Sequence, residues 1–197
     1  SKTSWSVNVR DGKAVAYTGG DSDEGSVTVA DAENITFSPD KKYVAYTKNN
    51  ELYSMDVATN KESAAATDGS GVIKNGYASW LYYEEILGRK SKYKAFWWSP
   101  DSKQIAYMRF DDSNVPVFPI YIPDGQHGYL EKERYPKAGD PNPTVKIGIV
   151  TIGNEATTWT DFDTTVDKYF GEPYWSPGSE LILPSKKARN DEPATSI

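Results

Sequence analysis

The stretch FSPDKKYVAY, from Phe37 to Tyr46, returns as WSPDSKQIAY from Trp98 to Tyr107. Trp175-Ser176-Pro177-Gly178-Ser179-Glu180-Leu181-Ile182-Leu183 is a third, weaker copy, and Asp11 to Tyr17 (DGKAVAY) is a degenerate fourth. Each full copy joins an aromatic-ended strand to a second strand through a Ser-Pro turn. Proline presets φ for a turn, and the polar residues after it suit an exposed corner. YVAY and QIAY are rich in strand formers, with a small alanine where two sheets would approach closely. After the first copy, Glu51 to Val57 alternates like a half-buried strand, and Lys61 to Thr67 can supply a further one.

Four short antiparallel strands per unit make one blade of a β-propeller. A β-sandwich has no need of self-similar strands, so the repeat favours the propeller. The Ser-Pro pairs lie 61 residues apart from Ser38 to Ser99 and 77 apart from Ser99 to Ser176, so the units carry insertions of unequal length. The expected class is all-β: a partial β-propeller of four-stranded antiparallel blades with a short helical insertion. Blade-like repeats fall near 11–30, 33–70, 96–152 and 173–185, with the helical insertion at 75–95 and a Pro-rich insertion at 109–145. At about 40–50 residues per blade, the 197 residues supply only about four blades. A ring that stops early leaves sheet edges uncovered, so the expectation is a fragment of a larger N-terminal propeller domain.

Composition narrows the chemistry. Twenty-two basic against 28 acidic residues give a net charge of −6, which disfavours nucleic acid and anionic membrane as partners. Cysteine is absent and His127 is the sole histidine. That excludes disulfides, thiolate or multi-histidine metal sites and cysteine nucleophiles, and no cofactor is expected. No apolar run reaches the roughly 18 residues of a membrane span, and no signal-peptide core is legible at the N-terminus. Six Trp, 14 Tyr and six Phe make burial depend on large rings, which fits short strands better than a helical bundle.

The insertion before the second copy holds Trp80-Leu81-Tyr82-Tyr83-Glu84-Glu85-Ile86-Leu87-Gly88-Arg89. Trp80 to Leu87 reads as a short helix, stopped by Gly88 in the left-handed conformation glycine suits. Glu84 and Glu85 diverge by about 100° on a regular helix, yet near its end both can turn toward one cation. Two carboxylates amid Tyr77, Trp80, Tyr82 and Tyr83 would hold an ammonium by charge-assisted hydrogen bonds. The plainer reading of the same residues is a solvated face with Glu85 paired to Arg89 at i,i+4. The second insertion contains repeated prolines between Pro116 and Pro143, which predict stiff, irregular chain.

WLYYEEI at 80–86, FWWSPDSKQIAY at 96–107, FDDSNVP at 110–116 and YPKAGDPNPTVK at 135–146 occur in that order. Together they resemble the N-terminal β-propeller of the dipeptidyl peptidase IV family, in the prolyl oligopeptidase clan of serine peptidases; the lack of cysteine suggests a bacterial-type member. The resemblance covers about residues 33 to 177. It implies an eight-bladed propeller beside an α/β-hydrolase domain, and removal of Xaa-Pro or Xaa-Ala dipeptides from peptide N-termini. By motif match, Glu84 and Glu85 are the pair that binds the substrate's α-ammonium, with Tyr82 and Tyr83 walling the site. The implied partners are a peptide N-terminus with a free amine, the catalytic α/β-hydrolase domain absent from this chain, and a homodimer contact. The implied location is periplasmic, secreted or cell-surface.

Two departures stand beside the match. The family's propeller arginine lies upstream of the helix, and no Arg occurs here between Arg10 and Arg89. Leu183 to Ile197 does not continue as a recognisable blade. No G-x-S-x-G nucleophile elbow occurs, so catalytic residues are expected outside this chain and the chain alone should be inactive. The second insertion should support the helix or a dimer contact. Asp21-Ser22-Asp23-Glu24 lacks the pattern of a calcium loop, Asn34-Ile35-Thr36 is a sequon at a strand start, and His127 reads as an exposed loop residue. The alternative function is a non-enzymatic periplasmic β-propeller scaffold that binds proteins.

Overall fold

The structure, a computed structural model, describes residues 4–8, 14–16, 26–154, 156–161 and 168–187. The acidic loop at 21–24 and most of the degenerate repeat at 11–17 lie outside the described residues, as do 188–197. Strands β1 (Ser4–Asn8), β2 (Ala14–Ala16) and β3 (Ser26–Ala30) form a three-stranded antiparallel sheet in the order β2-β1-β3. Next comes a four-stranded meander of β4 (Glu33–Phe37), β5 (Tyr43–Lys48), β6 (Glu51–Asp56) and β7 (Glu62–Ala64).

The third sheet is built differently. One of its edges is shared by β8 (Ile73–Asn75) and β9 (Phe96–Trp98), which pair in succession along β10 (Gln104–Asp111). The helical insertion therefore interrupts a strand position and leaves from the sheet itself. Beyond it, β11 (Val117–Ile122) and β12 (Tyr129–Arg134) form a separate hairpin. Then β13 (Thr144–Thr151) returns along the whole of β10, and β14 (Thr157–Trp159) closes the far edge. Short pairs follow: β15 (Lys168–Phe170) with β18 (Ser185–Lys187), and β16 (Tyr174–Trp175) with β17 (Leu181–Ile182).

The Pro-rich insertion is thus not irregular throughout, which corrects the sequence expectation. Pro119 sits inside β11 opposite Lys132. A two-stranded ribbon leaves one side of each strand unpaired, and proline is tolerated where no ladder bond is asked of it.

The repeat turns share one hydrogen-bond network. Ser38 Oγ donates to Asp40 Oδ1 (2.7 Å) and accepts from the Tyr43 amide (3.0 Å). Ser99 does the same with Asp101 (2.6 Å) and the Gln104 amide (2.9 Å). Lys41 and Ser102, third after each motif serine, both take φ near +65°, at 65° and 64°. The third copy is a residue shorter: Ser176 Oγ accepts from the Glu180 amide (3.1 Å), and Ser179 has φ 61°.

The links between sheets repeat as well. Trp98 Nε1 donates to Thr36 O (3.0 Å), and Trp175 Nε1 donates to Trp97 O (3.1 Å). In each case the indole of one motif reaches the residue just before the motif aromatic of the preceding sheet. The Asp40 amide donates to Ser102 Oγ (3.0 Å), and Ser179 hydrogen-bonds the Asp101 carboxylate. One rotation relating sheet to sheet is the signature of a propeller.

Apolar residues fill the gaps between successive sheets. Val29, Val44, Tyr46 and Met55 pack in one cluster, and Ala45, Leu52, Ile105, Tyr107 and Val150 in the next. Met108, Phe110, Ile147 and Phe170 make the third. Along β10, Ile105 and Tyr107 face one neighbour while Met108 and Phe110 face the other, as the two-residue period of a strand requires. Ala45 and Ala106 are fully buried, in line with the close approach expected of the repeat alanines. Gly148 lies beneath the Tyr107–Trp159 ring pair, where a Cβ would come within 2.6 Å of Thr157 Cγ2.

Candidate functional site

The helical insertion leaves β8 at Asn75 and rejoins β9 at Phe96, and its neck is closed by a Tyr77–Lys94 bridge. Asn75 anchors the root: its Nδ2 donates to Glu51 Oε2 (3.1 Å) and Asp68 Oδ1 (2.8 Å), and Arg109 Nε donates to Asp68 Oδ2 (3.0 Å). Burial raises the Glu51 carboxyl above its ordinary value, against the lowering effect of its Gly69 and Asn75 hydrogen bonds.

The helix itself is one π-turn, Tyr82–Ile86, closed by the Leu87 amide on Tyr82 O (2.7 Å). Bonds from i to i+5 place more residues in each turn than an α-helix does, so neighbouring side chains diverge less. Gly88 ends it at φ 77°, ψ 155°. This corrects the left-handed cap expected there: the residue occupies the extended positive-φ region that only glycine visits readily.

Glu84 and Glu85 both project from this turn. The Glu84 side chain is 13% exposed, and its Oε2 lies 2.6 Å from Arg89 Nε; Glu85 is exposed. The plainer sequence reading paired Glu85 with Arg89, whereas the structure pairs Glu84. The physical reason is the break at Gly88, whose non-helical backbone takes Arg89 out of the helical i,i+4 relation to Glu85. The Glu84 carboxylate holds the Arg89 guanidinium above its usual pKa.

Rings from three segments gather beside Glu84 and Arg89. Tyr93 stacks on Tyr83 (3.8 Å between centroids) and on Tyr77 (5.0 Å). Its own φ of 65° sets that ring between the other two. Burial first, then the negative potential of neighbours including Glu133 and Glu84, push the Tyr93 phenol up to about 12. Sequence reasoning missed Tyr93, whose only local signal is an aromatic next to a turn.

Tyr82 is not a wall of this site. It is 1% exposed, packs edge-on to Phe110 (4.9 Å), and its hydroxyl accepts from the Phe170 amide (3.1 Å). A ring enclosed by core residues cannot line a solvent-open surface, so the sequence assignment is corrected: Tyr82 supports the turn from beneath. Trp80 meets Tyr135 edge-on at 4.8 Å, and Tyr135 meets Phe118 at 6.2 Å, so the second insertion braces the helix as expected. Between them opens a cleft of about 340 Å³ lined by Tyr77, Trp80, Lys132 and Arg134 among others.

Of the remaining sequence candidates, His127 is exposed at the hairpin tip. Asn34 Nδ2 is turned to Thr47 Oγ1 (3.3 Å). Among the described residues no group of three or more His, Cys, Asp or Glu could hold a metal ion, and no helix is long and apolar enough to cross a membrane.

Repeated antiparallel sheets, stepped by one inter-sheet contact and carrying an acidic turn between two strands that share one edge, define a β-propeller with a short helical insertion. The profile of the family described as "Dipeptidyl peptidase IV (DPP IV) N-terminal region" matches residues 2–191, and the chain belongs to that family. A "Probable dipeptidyl-aminopeptidase B" of Talaromyces marneffei is 34% identical over 175 residues, covering 79% of this chain and 19% of the relative. Its namesake in Trichophyton verrucosum is 34% identical over 143 residues, covering 66% and 16%. The crystal structure of Porphyromonas gingivalis dipeptidyl peptidase 4 superposes with a TM-score of 0.68 at 26% identity, over 84% of this chain and 23% of that one. The chain therefore spans about a fifth of the length of these relatives.

Proposed function

We propose that this propeller region selects substrates for a serine dipeptidyl peptidase, with Glu84 and Glu85 holding the peptide's α-ammonium. The observation that carries the reading is the Glu84 carboxylate, largely shielded by its surroundings and already bound to a cation at 2.6 Å. A peptide N-terminus has a pKa of about 7.7–8.0, so near neutral pH it arrives mostly as an ammonium. Three N–H donors on that group suit two adjacent carboxylates. An acylated N-terminus brings no charge and one donor, leaving desolvated carboxylate behind, so it is rejected. With the N-terminus fixed, the bond reached by a hydrolase domain is set by distance, which is how dipeptides rather than single residues would be released.

Tyr83 and Tyr93 form the apolar side of this site. The catalytic serine, aspartate and histidine belong, in this reading, to an α/β-hydrolase domain, and the protein acts in the periplasm or at the cell surface. The scaffold alternative is not favoured, because the relatives matched are dipeptidyl peptidases. A contact between two copies through the hairpin is part of the proposal; Tyr121 and Leu130 face each other there, 61% and 59% exposed.

The test is cleavage by the full-length protein of Ala-Pro-p-nitroanilide and its N-acetyl form. Glu84→Gln or Glu85→Gln should raise KM for the free amine by tenfold or more, as expected when a charge-assisted bond of about 1.5–3 kcal/mol is lost. Wild-type efficiency in both variants rejects the assignment.

A further inference from the structure

We propose that Arg89 is a tethered occupant of the ammonium site, a cation that Glu84 releases when a peptide's free N-terminus binds. This rests on the assignment of Glu84 and Glu85 above and adds a residue that sets how tightly the site binds.

The geometry points this way from three sides. Arg89 Nε is 2.6 Å from Glu84 Oε2, the distance of a charge-assisted hydrogen bond. The two partners differ sharply in exposure, 75% for the Arg89 side chain and 13% for Glu84. The guanidinium thus covers the carboxylate from the solvent side, the side from which a peptide arrives. The chain between them allows this placement: the π-turn closes at Leu87, and Gly88 at φ 77°, ψ 155° breaks the helix immediately before Arg89.

A guanidinium and an ammonium make the same demand on a carboxylate. Two cations on one carboxylate repel, and a carboxylate already neutralised attracts a second cation less. The ammonium therefore binds by exchange. Because Arg89 is mostly in water, it loses little on release, and such an exposed pair changes affinity by a factor of only about 1.5 to 5. Arg89 is thus a specificity-determining residue that tunes the site without closing it. A group able to replace it must carry positive charge, and an acylated N-terminus does not.

The test is calorimetric titration of the full-length protein with the dipeptide Ala-Pro and with N-acetyl-Ala-Pro. Arg89→Gln should tighten Ala-Pro binding by about two- to fivefold while the affinity for N-acetyl-Ala-Pro stays as it was. Arg89→Lys, which restores the charge, should return Ala-Pro binding toward the wild-type value. If Glu84→Gln and Glu85→Gln weaken Ala-Pro binding but Arg89→Gln leaves it unchanged or weaker, Arg89 is not a competitor and only this inference falls. If wild-type protein does not bind Ala-Pro, or the two glutamate variants bind it as well as wild type, the site assignment itself falls and this inference with it.

Discussion

Lys74 Nζ sits 2.6 Å from Asp112 Oδ2, with 16% of the lysine side chain and 1% of the aspartate exposed. Arg134, at the end of β12, adds positive potential and donates to Val115 O at 2.6 Å. The pair therefore ties the strand entering the helical insertion to the base of the hairpin. Removing water from two charges is expensive, and removing one partner leaves the other buried alone. Asp112→Ala should cost about 3–5 kcal/mol in a urea titration of the full-length protein. Lys74→Met with Asp112→Leu should recover most of it. A double variant no better than the single one would show that the ion pair is not the cause.

Acid titration gives a second handle on Asp112. Burial raises its carboxyl above the ordinary value, and Lys74 offsets part of that rise. The folded state then holds the proton more tightly than the unfolded chain. The resulting contribution is fully present below the usual carboxylate range and is lost as pH climbs through the raised pKa. Stability from this group should fall with rising pH over that window. Asp112→Asn should flatten the slope; an unchanged slope assigns it to another residue.

Tyr82→Phe separates support from recognition. It removes the acceptor for the buried Phe170 amide, at a cost of about 1–3 kcal/mol. The melting temperature should drop while the Kd for Ala-Pro holds steady. A large loss of Ala-Pro affinity with unchanged stability would return Tyr82 to the site wall.

Trp98→Phe keeps most of the ring and deletes the indole bond to Thr36 O. A loss of about 1 kcal/mol is expected, with faster hydrogen exchange on both sheets that the bond joins. Exchange confined to one sheet would deny the contact its bridging role.

Hairpin association is tested by Leu130→Asp. The side chain is 59% exposed, so folding should be unaffected. If the hairpin joins two copies, sedimentation should shift the full-length protein toward the monomer. The same mass for both proteins removes the hairpin from the interface.

The paired turns of Ser38 and Ser99 were legible because the bonds that close each turn are local, with serine, aspartate and the next strand's amide within five residues. The helix ending at Gly88 was legible for the same reason. The hairpin was hidden because its prolines argue against regular structure one residue at a time, whereas pairing register decides which of them lack a needed donor. Tyr82 and Tyr83 are equivalent in sequence, adjacent and identical. The positions of Phe110 and of Phe170, 88 residues away, make Tyr82 core, while Tyr83 stacks on Tyr93.

Sequence by itself determined the repeat, and with it the antiparallel blades, because short-range turn chemistry and strand alternation need no distant partner. It also determined that two carboxylates stand side by side on a short insertion. The tertiary structure decided that this insertion splits one edge-strand position of a sheet between Asn75 and Phe96. It decided too that Glu84, not Glu85, meets Arg89. Those outcomes depend on helix winding and on which surfaces meet across the sheets, and both are set by packing energies summed over residues far apart in the chain.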